Sequence, residues 1–130
     1  MRERVVREAI AVALLLGALL VLVALITHSP MDPSPFHAST LRSSPDNLAG
    51  WLGATLSAGL FSFIGVAAFL LPVAAVVLGW RVLRQSPITN PRLTAAGWGL
   101  VLLALPGFAN LLGNDLPFRD GRISAGGYVG

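Results

Sequence analysis

No cysteine and no lysine occur in this chain, and acidic residues number only 6 in 130. The missing cysteine excludes disulfides, thiolate nucleophiles and Cys-held zinc. The missing lysine excludes a G-x-x-x-x-G-K-[ST] loop, so the chain cannot bind and hydrolyse ATP by that route. Charged residues of either sign make up 12% of the sequence, about half the share usual in soluble proteins. What fills the space is apolar: 55% of all residues. Such a chain has too little polar surface to cover a globule in water, and lipid is the solvent its composition fits.

The basic residues are all arginine, and they give a net charge of +3. They do not form a nucleic-acid patch, because no aromatic residues interleave with them on a polar face. Arg2, Arg4 and Arg7 precede the first apolar run, and Arg81, Arg84 and Arg92 lie between the second and third. Arginines at the ends of membrane spans mark the cytoplasmic side. The segment 28–46 has only Arg42, and after Leu112 come Arg119 and Arg122, balanced by Asp115 and Asp120. Those two segments are therefore expected outside.

Three uncharged runs are expected to cross the bilayer. Ala9–Thr27 would make a helix about 28 Å long, matching a hydrocarbon core of about 30 Å. It is longer than a signal-peptide core and no A-x-A-like site follows it, which favours an uncleaved span. Asn47–Trp80 as one helix would be about 51 Å long, too long for one crossing and too short for two. Residues 47–58, with small and weakly polar side chains and Trp51, read as an interfacial extension, and 60–80 as the span. Asp46 or Asn47 could cap this helix, and Pro72 is expected to kink it. Leu93–Leu112 is the third span, with a bend expected at Pro106-Gly107. The fold class is thus an all-α integral membrane bundle of three transmembrane helices, the second long and bearing an interfacial extension. Its parts are a cytoplasmic N-terminus (1–8), span one (9–27), an external Pro-rich loop (28–46), the extension plus span two (47–80), a cytoplasmic Arg loop (81–92), span three (93–112) and an external flexible tail (113–130) with a turn at Asp120-Gly121.

No catalytic constellation is present. The six carboxylates lie in termini and loops, and no ionisable residue falls inside a span, so the mark of a proton or ion path is missing. His28 and His37, with Asp32 between them, could form a metal pair, but solvated loop histidines are the expected state. No cofactor or metal is expected. Small residues recur at Gly50, Ala54, Ala58 and Ser62, a spacing that lets membrane helices approach closely. This row is expected to be a helix-packing face and to support a homo-oligomer. On these grounds alone the chain could equally be a small non-catalytic subunit of a transporter or membrane enzyme complex.

Three blocks of sequence, in this order and spacing, carry a family resemblance. The first is "SPMDPS" (Ser29, Pro30, Asp32, Pro33, Ser34) and the second "NLAGWLGA" (Asn47, Leu48, Gly50, Gly53, Ala54). The third runs from Phe61 through Gly65, Ala68, Leu70, Leu71 and Pro72 to Gly79, Trp80 and Arg81. Together they resemble the N-terminal four-span membrane region of FtsK/SpoIIIE-type DNA translocases. The resemblance implies a multi-pass anchor in the bacterial inner membrane at the division septum, serving cell division and chromosome segregation. It further implies cell-division proteins and lipid as partners. The ATP-driven motor would lie elsewhere in a longer protein, with no nucleic acid or ATP bound by this chain. The family's fourth helix has no counterpart here, as expected for a piece of a longer protein.

Overall fold

The computed structural model describes residues 2–33, 44–85, 90–113, 115–118 and 121–128. Helix α1, Arg2–Ile26, takes in the charged start as well as the apolar run. An exposed Arg4–Glu8 pair at 2.8 Å bridges one turn there, a contact worth a few tenths of a kcal/mol (~0.3–0.5). At its far end side chains reach the last carbonyls, Val23 O also accepting from the Thr27 amide at 2.9 Å. The Thr27 hydroxyl donates to Val23 O at 2.7 Å and Asn47 Nδ2 to Ala24 O at 2.8 Å. Pro30, lacking an amide hydrogen, follows closely.

The second apolar run forms two helices joined by an elbow. Helix α2 spans Gly50–Ile64, a 3₁₀ segment spans Gly65–Phe69, and helix α3 spans Leu70–Leu83. The break is at Gly65, whose φ of 58° and ψ of −140° lie in a region open essentially to glycine alone. The kink expected at Pro72 is thus displaced by seven residues. Pro72 occupies the first turn of α3, where a missing N–H costs little. The length problem resolves with it: the 3₁₀ segment and α3 together measure about 31 Å, one hydrocarbon thickness.

Helix α3 runs back along α1. A Cβ on Gly79 would lie 3.1 Å from Leu15 Cγ and 3.3 Å from the Ala11 carbonyl, so a larger residue would push the two backbones apart. At the opposite end Leu25, Phe61, Ala68 and Ile123 form the buried apolar cluster. Helix α2 does not follow α1. Its contacts, from Asn47 just before it to Phe61 near its end, reach Ala24, Leu25, Thr27 and His28. These contacts gather near the end of α1, where Val21 and Leu60 also pack against the apolar cluster.

Helix α4, Pro91–Leu112, begins with Pro at its first position and continues through Pro106. Pro106 is fully buried and α4 meets the 3₁₀ segment and α2. Most of its other side chains are exposed, among them Leu93, Leu100, Leu103 and Leu111. The all-α bundle holds, with three apolar helical stretches among the described residues long enough to cross a membrane: Arg2–Ile26, Gly50–Leu83 and Pro91–Leu111. The tail adds a short antiparallel hairpin, strand β1 (Asp115–Phe118) paired with strand β2 (Gly121–Ser124). Its composition suggested flexibility, but Ile123 and Ala125 are buried and anchor it. The turn expected at Asp120-Gly121 falls partly outside the described residues.

Candidate interaction site: a buried polar clasp and a strapped elbow

Five polar residues where the end of α1 meets α2 are buried. His28, Ser29, Asp32, Asn47 and Ser57 are each at most 4% exposed, and the reason is that they satisfy one another and the backbone. Ser29 starts a tight turn: its carbonyl accepts from Asp32 N at 3.0 Å and its hydroxyl from Met31 N at 3.3 Å. The turn aims the Asp32 carboxylate at the strand of chain entering α2. Oδ1 accepts from Asp46 N at 2.9 Å and Oδ2 from Asn47 N at 3.1 Å. Asn47 carries the link onward, its Oδ1 accepting from Ala49 N at 3.0 Å and its Nδ2 donating to α1. One carboxylate and one amide thereby tie Asp46 and Asn47 to the end of α1 and the turn that follows it.

His28, expected in solvent, is buried. Its ring lies 4.8 Å from that of Phe61, and Nδ1 is 2.9 Å from the Ser57 hydroxyl. That hydroxyl also reaches Ala54 O, at 3.2 Å, which links the His28 ring to the backbone of α2. A metal pair with His37 lies outside the described residues. Among the described residues no three His, Cys, Asp or Glu side chains cluster as metal ligands.

Of the small-residue row, Ala54 and Ala58 are buried within the chain while Gly50 and Ser62 are half-buried. Gly53 is fixed by space, since a Cβ there would collide with Asn47 Oδ1 and Ala49 Cβ. Gly50 has a φ of 65°. Pro30 and Pro33 are half-buried, and Ser34 lies outside the described residues. At the other end of α3, Trp80 and Arg81 are exposed, and the Arg84 guanidinium stacks 4.7 Å from the Trp80 ring.

The elbow carries a second contact, one without a strong sequence signal. Residues 125–128 cross it as a strap: Val66 N donates to Ala125 O at 3.1 Å and Tyr128 N to Ser62 O at 2.7 Å. These bonds engage backbone groups at the interrupted helix. Gly127 has a φ of 61°, and a Cβ there would come within 2.7 Å of Gly65 N and the Phe63 carbonyl. Only the adjacent glycines in "SAGGYVG" hinted at so close a passage.

A clasp of buried polar residues and an elbow set the shape of this apolar helical module. A family profile described as the 4TM region of DNA translocase FtsK/SpoIIIE matches residues 3–130. The chain belongs to this FtsK/SpoIIIE four-span family. Among similar curated proteins, the DNA translocase FtsK of Azospirillum brasilense is 33% identical over 101 residues, covering 76% of this chain and 16% of the relative. That of Pseudomonas syringae pv. tomato is 32% identical over 120 residues, covering 86% and 14%. That of Rickettsia typhi is 36% identical over 115 residues, also covering 86% and 14%. The chain thus spans about a seventh of the length of these FtsK relatives. No solved structure matches it. In family terms, the "SPMDPS" and "NLAG" blocks meet in the clasp, and the Phe61–Pro72 block builds the elbow.

Proposed function

We propose that this chain is the membrane-anchoring part of a longer, ATP-driven FtsK-type DNA translocase. It would hold the protein in the bacterial inner membrane and bring it to the division septum during chromosome segregation. The observation that carries the reading is the four-span match over residues 3–130 to proteins of which the chain covers only about a seventh. In this reading the chain has no motor activity, and its chemistry is that of packing in lipid. The N-terminus and the loop 81–92 face the cytoplasm, where their arginines are retained. Copies associate in the membrane, bringing motor subunits together, and cell-division proteins are the partners on the outer side.

The test is localisation with function. A fluorescent fusion of the full-length protein should concentrate at mid-cell in dividing cells, and residues 1–130 alone should retain that position. An even distribution around the envelope would overturn septal targeting. ATP-dependent DNA translocation by purified residues 1–130 would overturn the assignment of the motor elsewhere.

A further inference from the structure

Helix α2 presents no exposed polar side chain. Its hydroxyl residues Thr55, Ser57 and Ser62 are buried or half-buried, whereas Trp51, Leu52, Leu56 and Phe63 are exposed, as is Leu48 just before it. Leu52 and Leu56 lie one turn apart in α2 and Phe63 two turns further on, so these three form one stripe. The opposite side, with Ala54, Ala58 and Phe61, is buried against the clasp and the apolar cluster. Water is an unfavourable neighbour for such a stripe.

We propose that α2 lies lengthwise in the outer boundary of the bilayer, with phospholipid covering the stripe Leu52–Leu56–Phe63. This rests on the membrane-anchor reading and deepens it: a segment inside a span-long stretch acts as a float and does not cross. Three observations point to lipid. The stripe continues through half-buried Leu60 into an apolar groove of about 400 Å³ between α1 and α3, lined also by Gly17, Ala18, Val21 and Pro72. It is therefore continuous with the lipid-facing surface of the bundle, with no charged residue intervening between Asn47 and Trp80. The elbow at Gly65 separates α2 from the 3₁₀ segment and α3, which by themselves have the full length of a crossing. Trp51, exposed beside the stripe, has the amphipathic ring that favours the headgroup level.

Tryptophan fluorescence tests this. The chain has three tryptophans, Trp51, Trp80 and Trp98. Variants keeping one each, the others changed to Phe, are reconstituted into phosphatidylethanolamine–phosphatidylglycerol vesicles. The vesicles carry a quencher either near the headgroup or near the end of the acyl chain. Trp51 should be quenched about twofold or more better by the shallow label than by the deep one, since an interfacial helix sinks only about 5–10 Å. Aqueous iodide should have little effect. A nitroxide on Leu52→Cys should likewise be more accessible to oxygen than to a water-soluble nickel chelate. Stronger quenching of Trp51 by the deep label would mean that α2 crosses, and the proposal fails. Full quenching by iodide, or protection from every quencher with Leu52→Cys disulfide-linking two copies, also overturns it: water or a second copy then covers the stripe. In those cases lipid quenching of Trp80 and Trp98 leaves the anchor reading standing. If no tryptophan is quenched from lipid, the anchor reading itself fails.

Discussion

At the scale of single residues, the clasp depends on two side chains. Asp32 accepts two backbone N–H groups in a buried setting, and bonds to a carboxylate are the stronger kind. Asp32→Ala leaves both donors unsatisfied, a loss of about 2 kcal/mol or more. Amide exchange at Asp46 and Asn47 should then accelerate by about tenfold or more, measured by mass spectrometry in detergent micelles. His28 separates ring packing from hydrogen bonding. His28→Phe keeps a ring against Phe61 and should cost about 1 kcal/mol, whereas His28→Ala loses both and should cost about 3 kcal/mol. The midpoints of thermal unfolding of the solubilised protein should rank wild type, Phe, Ala in descending order. The motif residues Asp32 and Asn47 stood out in the sequence, but their partnership did not. Local pattern cannot reveal that two positions fifteen apart meet across a loop, nor that a histidine in a proline-rich turn folds inward onto Phe61.

At the scale of elements, hydropathy located the long apolar stretches because each carries its evidence in every residue. It misplaced the break in the second because Pro72 is the more conspicuous signal. A proline three residues into a helix is harmless, and the break belongs to a glycine whose backbone conformation a sequence does not display. Gly65→Ala must adopt a strained conformation or straighten the elbow, a cost of about 1–3 kcal/mol. Gly127→Ala displaces the strap, since its Cβ would meet backbone atoms of Phe63, near the end of α2, and of Gly65. Both variants should raise amide exchange at Val66 and Tyr128, the donors that join strap and elbow, while exchange at Asp46 and Asn47 stays at the wild-type rate in Gly127→Ala. The hairpin of the tail was hidden for a related reason. Its four-residue strands are too short to show alternation, and burial of Ile123 against the bundle holds them in place.

At the scale of the whole molecule, the arginines and the spans together fix an expected orientation. Alkaline phosphatase fused after Pro33 or after Gly113 should be active, because both junctions would lie outside, and a fusion after Gln85 should be inactive. Changing Arg81, Arg84 and Arg92 together to Asn should raise activity at the Gln85 junction by weakening retention of that loop. Activity after Gln85 in the unaltered chain would reverse the orientation. The bundle was legible in the sequence at this scale, since three apolar stretches need only be counted. How α2 lies against α1 was not, because it depends on the clasp and the elbow at once.

The strap also has a consequence in time. A ribosome delivers Val66 well before Ala125, and the roughly 60 residues between them take about 3–12 s to make. During that interval α1, α2 and α3 have emerged, yet the elbow has no latch, and α4 must be placed before the latch arrives. The clasp, built from residues between Ala24 and Ser57, is therefore complete in sequence before the elbow can be latched, so the two ends of α2 are secured at different times.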